Sequence, residues 1–232
     1  MADIYTHTED GQTRQLDWGI WRRWVVANAV GEAIGLGCTL LLTIFLAATA
    51  TNVLGPIGFA ALAVLGGTVI EGLIVGTTQW LVLQDPLPKL SWRRWALATA
   101  VGACIAWALG VLPGTMMPVD AGASPASMSG LAIDGLAFVM GLVLGPILSV
   151  PQWLVLRLYL HRTGWWMLAN ALAWACGMVV IFLGTNLIPP VGITPAIAVL
   201  LVVYLVSAGA VVGAIHGLVL IWLLRREQML TR

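Results

Sequence analysis

Apolar positions in this chain neither alternate nor keep to one helical stripe. They run on in blocks. No Asp, Glu, Lys, Arg or His occurs between Glu32 and Glu71, and His216 is the one residue of those five types between Arg162 and Arg225. A helix needs about 20 residues to cross roughly 30 Å of hydrocarbon, so the second block holds two crossings and a short turn. Breaker-rich segments divide the chain: NVLGP (52–56), QDPLPKLSWRR (84–94), MPVDAGASPAS (117–127), YLHRTG (159–164) and IPPVGITP (188–195). Proline, glycine and small polar residues are the expected punctuation between helices. The pattern predicts six spans, over 24–50, 57–83, 95–115, 130–157, 165–186 and 196–224. A transmembrane barrel would alternate polar and apolar positions, and these blocks do not.

The blocks also repeat. WRRWVVANAVGEAIG at 21–35 matches WRRWALATAVGACIA at 92–106 and TGWWMLANALAWACG at 163–177, each 71 residues after the last. Trp24, Trp95 and Trp166 fall in register, as do Asn28, Thr99 and Asn170. Among the even spans, GLIVGTTQWLVLQ (72–84) matches GPILSVPQWLVLR (145–157), and GAIHGLVLIWLLR (213–225) is a fainter copy. The unit is a two-helix hairpin present three times, each copy starting on the same side. The predicted fold is therefore all-α: a polytopic membrane protein of six transmembrane helices in three parallel hairpin repeats, pseudo-threefold about the membrane normal. Its parts are an N-terminal tail (1–20), repeat 1 (21–91), repeat 2 (92–162) and repeat 3 with a short C-terminus (163–232).

Composition agrees, with 60% apolar and only 9% charged residues, far below the quarter usual for soluble domains. The net charge of +1 conceals a sorting. If the connections are assigned alternately to two sides, all 11 Lys and Arg residues fall on one side. Basic connections stay cytoplasmic, which predicts a multi-pass protein of the cell membrane with both termini inside. Residues 1–20 are polar and read as a cytoplasmic tail, with a surface-lying segment around Trp18–Trp24. Ten of the 12 tryptophans belong near that same surface, all but Trp107 and Trp174. Trp21, Arg22, Arg23, Trp24, Trp92, Arg93, Arg94, Trp95, Trp165 and Trp166 read as a membrane-interface belt, since indole suits headgroup depth.

Small residues recur every four positions, on one helix face. Gly31/Gly35, Gly72/Gly76, Gly141/Gly145 and Gly213/Gly217 are read as packing faces where backbones approach. Cys38, Cys104 and Cys176 read as buried small hydrophobes, not as a disulfide or metal set. The repeated Asn28, Gln79, Gln152 and Asn170 read as interhelical hydrogen-bonding residues.

Ionisable groups within the spans are costly and usually face a bundle interior or a polar cavity. Glu71 falls near midplane, with Glu32 and His216 nearer the cytoplasmic edge, and together they form a candidate polar cluster. All three depart from the repeat. Glu71 aligns with Leu144 and Val212, Glu32 with Ala103 and Trp174, and His216 with Val75 and Leu148. No metal set and no string of a known hydrolase, nucleotide-binding or haem motif occurs, so no catalytic residue and no cofactor is predicted. A bound lipid or pigment stays open. The foremost expectation is a non-catalytic accessory or scaffold subunit of a membrane complex, not an enzyme. Its partners would be the bilayer and other membrane subunits or further copies of the chain, with no nucleic acid. The alternatives are a small-solute or proton-coupled transporter using Glu71, and a pigment-, quinone- or lipid-binding membrane protein.

Overall fold

The computed structural model describes residues 6–49, 51–116, 129–185 and 194–230. These are helical throughout, apart from short connections. The elements are α1 (Thr6–Thr49), α2 (Thr51–Gly66), a π turn (Gly67–Glu71), α3 (Gly72–Leu83), α4 (Trp92–Met116), α5 (Gly130–Leu156), α6 (Gly164–Thr185) and α7 (Pro195–Leu230). Five stretches are long and apolar enough to cross a membrane: Trp18–Leu46, Val53–Leu83, Gly130–Leu156, Gly164–Gly184 and Pro195–Leu230. The chain is a multi-pass helical membrane protein. Segment 117–127, nearly all of 188–195 and the first five residues lie outside the described residues.

Several local expectations change. The surface-lying segment around Trp18–Trp24 is instead an unbroken part of α1, because nothing between Thr6 and Thr49 stops the helix. The break at 52–56 reduces to one kink. Gly55 takes φ 66° and ψ 177°, a backbone that glycine adopts without penalty, and Pro56 opens the helix that follows. Cys38 is exposed and Cys104 and Cys176 are half-buried. On a lipid-facing wall a small apolar side chain has no reason to turn inward.

The rods pack in chain order and close on themselves. α1 touches α3, α3 touches α4, and so on through α5, α6 and α7, which returns to α1. Small residues set each approach. A methyl group at Gly35 would lie 3.0 Å from Glu71 Cα, and one at Gly31 would lie 3.3 Å from Val75 Cα. Gly72 and Gly76 likewise meet Ala100 and Ala96 of α4 at 2.6 and 2.8 Å. Gly102 of α4 faces the Leu148 carbonyl, and Gly141 and Gly145 of α5 face the carbonyls of Trp174 and Asn170. Gly177 of α6 meets Val212, while Gly209, Gly213 and Gly217 of α7 meet Asn28, Val25 and Trp24 of α1. Each rod thus turns its small-residue face to the next one round. Without water to drive helices together in lipid, such close contact supplies dispersion energy.

One end of the ring is plugged. Trp24, Trp95 and Trp166 are wholly buried and cluster with Leu83, Leu87, Leu90, Leu156, Leu160, Leu220, Leu223 and Leu224. The outer wall is apolar, with Val26, Ile34, Leu97, Val143 and Leu172 exposed. Around the plugged end Arg23 pairs with Asp85 at 2.6 Å, Arg157 stacks over Trp153, and Arg226 stacks over Trp222.

Candidate functional site

The site begins with the three tryptophans that recur in register. Expected in the interface belt, Trp24, Trp95 and Trp166 face inward, with ring centroids 6.1 Å apart for Trp24–Trp166 and 6.4 Å for Trp95–Trp166. The outward-facing members of the belt are others, such as Trp92 and Trp165. Trp21 half-buries against α7, donating to the Ala214 carbonyl at 3.1 Å, and Arg22, Arg23, Arg93 and Arg94 are exposed.

A buried indole N–H needs an acceptor, and each of the three finds one on a neighbouring rod. Trp95 Nε1 donates to Gln79 Oε1 at 3.1 Å, and Trp166 Nε1 donates to Gln152 Oε1 at 3.2 Å. Trp24 Nε1 donates to His216 Nδ1 at 2.8 Å. In sequence register Leu220 stands where Gln79 and Gln152 stand. His216, one helical turn earlier on the same face, takes over their task. An indole only donates, so Nδ1 accepts and the neutral ring carries its proton on Nε2. The departure of His216 from the repeat therefore has a packing role that the alignment alone concealed.

One turn on from each tryptophan, Asn28, Thr99 and Asn170 bond back to its carbonyl at 2.8, 3.0 and 2.8 Å. The amides then link the rods. Gln79 Nε2 donates to Asn28 Oδ1 at 2.9 Å, and Gln152 Nε2 donates to Thr99 Oγ1 at 3.0 Å and to Gln79 Oε1 at 3.2 Å. Thr99 belongs to this network although only its register, not its chemistry, marked it.

Beyond the network lies a cavity of about 40 Å³, lined by Asn28 and Glu32 of α1, Glu71, Val75 and Gln79, Thr99 and Ala103 of α4, Leu148 and Gln152 of α5, Asn170 and Trp174 of α6, and Val212 and His216 of α7. All six rods contribute, so it lies inside the ring. That volume admits water, which needs roughly 10–15 Å³. Glu32, Glu71 and His216 are brought together here. Glu32 is 4% exposed, and its Oε2 has no hydrogen-bond partner among the described residues. Glu71 ends the π turn, and its Oε2 accepts from Trp107 Nε1 at 2.8 Å. Gly67 makes this bond feasible, because any side chain there would collide with the Trp107 ring. A widened turn at such a residue is a frequent mark of functional sites.

A second cavity of about 380 Å³ adjoins the first. Glu71, Ala103, Leu148 and Trp174 line both, and Leu36, Met140, Leu144, Met178, Ile181 and Phe182 add apolar wall. Among the described residues, neither lining includes a Lys or Arg. No protein-family model, no curated protein and no solved structure matches the chain.

Proposed function

We propose that this chain is a small-solute carrier, proton-linked through Glu32 and Glu71, and not an enzyme. In this reading it crosses the cell membrane six times with both termini cytoplasmic, as three parallel hairpins about a pseudo-threefold axis. α4 supplies the sixth crossing. Its 25 residues reach roughly 37 Å at 1.5 Å each, with Arg93 and Arg94 in its first turn.

One observation carries the proposal: two carboxyl groups, with no Lys or Arg among the described lining residues, face a cavity to which all six rods contribute. The sequence register sharpens it. Glu32, Ala103 and Trp174 are equivalent positions, and all three line that cavity. The same holds for Val75, Leu148 and His216. Glu71, Leu144 and Val212 also turn inward, Leu144 to the larger cavity. Acids have been placed at positions whose counterparts are apolar and point at the same interior. Acids that hold partner subunits would point outward, and these point inward. An acid that gains and loses a proton beside a solute site is what proton coupling requires.

The test is flux. The purified chain in proteoliposomes, loaded with a pH-sensitive dye under an imposed proton gradient, is challenged with panels of amines, sugars, amino acids and weak acids. One class collapses the gradient in the wild type, and Glu71→Gln and Glu32→Gln abolish the response while keeping the fold, because an amide cannot cycle a proton. No response to any class, with native membrane proteins copurifying in fixed ratio, would return the chain to the scaffold reading.

A further inference from the structure

We infer that the two cavities together receive a protonated lipophilic amine: a compact apolar body bearing one cationic N–H head. The inference rests on the carrier reading and names its substrate class.

The polar cavity offers acceptors, and its described lining holds no Lys or Arg. Glu32 Oε2 is unpartnered among the described residues, inside a side chain that is 4% exposed. Glu71 uses one oxygen for Trp107. The indole N–H groups of Trp24, Trp95, Trp166 and Trp107 are already committed, and so are the amides, Gln79 donating to Asn28 and Gln152 to Thr99 and Gln79. A carboxylate removed from water must find a counter-charge or a donor, or else give up its charge. No Lys or Arg of the described lining supplies one. A ligand that supplies both is an ammonium group.

The larger cavity fixes the rest of the molecule. About 380 Å³ walled by Leu36, Met140, Leu144, Met178, Ile181 and Phe182 has little to offer hydroxyl groups, so a sugar would lose hydration without replacement. An anion would face two acids. An apolar body gains from burial there, while its head reaches Glu71 and Glu32 where the cavities meet. Trp174, common to both linings, adds an aromatic ring, and such rings attract cations.

Three probes with one cage and different heads test the inference: 1-aminoadamantane, 1-adamantanol and adamantane-1-carboxylate. Binding is measured at pH 7 by titration calorimetry on the whole chain in detergent, with empty micelles subtracted. The amine should bind at least tenfold more tightly than the alcohol, and the carboxylate not at all. Glu32→Gln, with its unfolding midpoint retained, should weaken the amine at least tenfold and leave the alcohol unchanged. Met178→Trp, which fills the apolar cavity, should weaken both. Equal binding of amine and alcohol, both lost on Met178→Trp, would overturn the amine class and leave the carrier reading standing. No binding of any probe by a folded wild-type chain would overturn the inference, and the proteoliposome flux assay then decides the carrier reading separately.

Discussion

Gln79 is the residue on which the interior network turns. Its Oε1 accepts from both Trp95 and Gln152, filling its two lone pairs, while its Nε2 donates to Asn28. A single interhelical hydrogen bond in lipid averages about 0.6 kcal/mol, but leaving buried groups without partners costs about 1–3 kcal/mol. Gln79→Leu strands the Trp95 N–H and the Asn28 oxygen together, so it should destabilise the chain by about 2 kcal/mol. Gln84→Leu, one turn and more away with its amide exposed against the Leu81 carbonyl, should stay within about 0.5 kcal/mol. Thermal unfolding in detergent checks the pair, and equal shifts would mean that the network contributes nothing. The repetition of Gln79 and Gln152 before WLVL was legible in the sequence, as was that of Trp24, Trp95 and Trp166. Their joining was not. Indole suits the interface so well that position along a span cannot tell a lipid-facing tryptophan from an inward one; only the partner rod decides.

At the scale of the element, α7 differs from its counterparts by a paired exchange. It carries His216 and Leu220 where the rod ending in α3 has Val75 and Gln79 and α5 has Leu148 and Gln152. If His216 stands in for the missing glutamine, His216→Val alone should leave Trp24 Nε1 without an acceptor and lower the unfolding midpoint. The double change His216→Val with Leu220→Gln should recover most of that loss, since the introduced amide would then take the place that Gln79 and Gln152 hold on their own rods. A double variant no more stable than the single one would contradict this account. The small-residue faces could be read from four-residue spacing, yet the spacing does not say which neighbour each face meets. That follows from ring order. The kink at Gly55 and the π turn ending at Glu71 had weaker traces. A Gly-Pro pair marks a break without giving its length, and the π turn begins at Gly67, which makes room for Trp107 of the adjacent α4, a contact that the spacing along one helix does not reveal.

At the scale of the molecule, the sorting of 11 basic residues predicts the topology of the chain. Reporter fusions after residues 88 and 161 should read as cytoplasmic, and those after 122 and 191 as external; a cytoplasmic signal at 122 or 191 would refute the six-span arrangement. The multi-pass helical class was legible because blocks of neutral residues have few other uses. The interior was legible only as three isolated departures, Glu32, Glu71 and His216, whose convergence depends on α7 returning to α1. Glu71 faces an interior reached through an apolar cavity. Dicyclohexylcarbodiimide, an apolar reagent that couples to carboxyl groups, tests this placement most directly when the modified residue is located by mass spectrometry of the whole chain in its membrane. An adduct at Glu71 is expected, and it should be lost when Met178→Trp fills the cavity. A Glu71 that never reacts, or that reacts equally with the cavity filled, would contradict it.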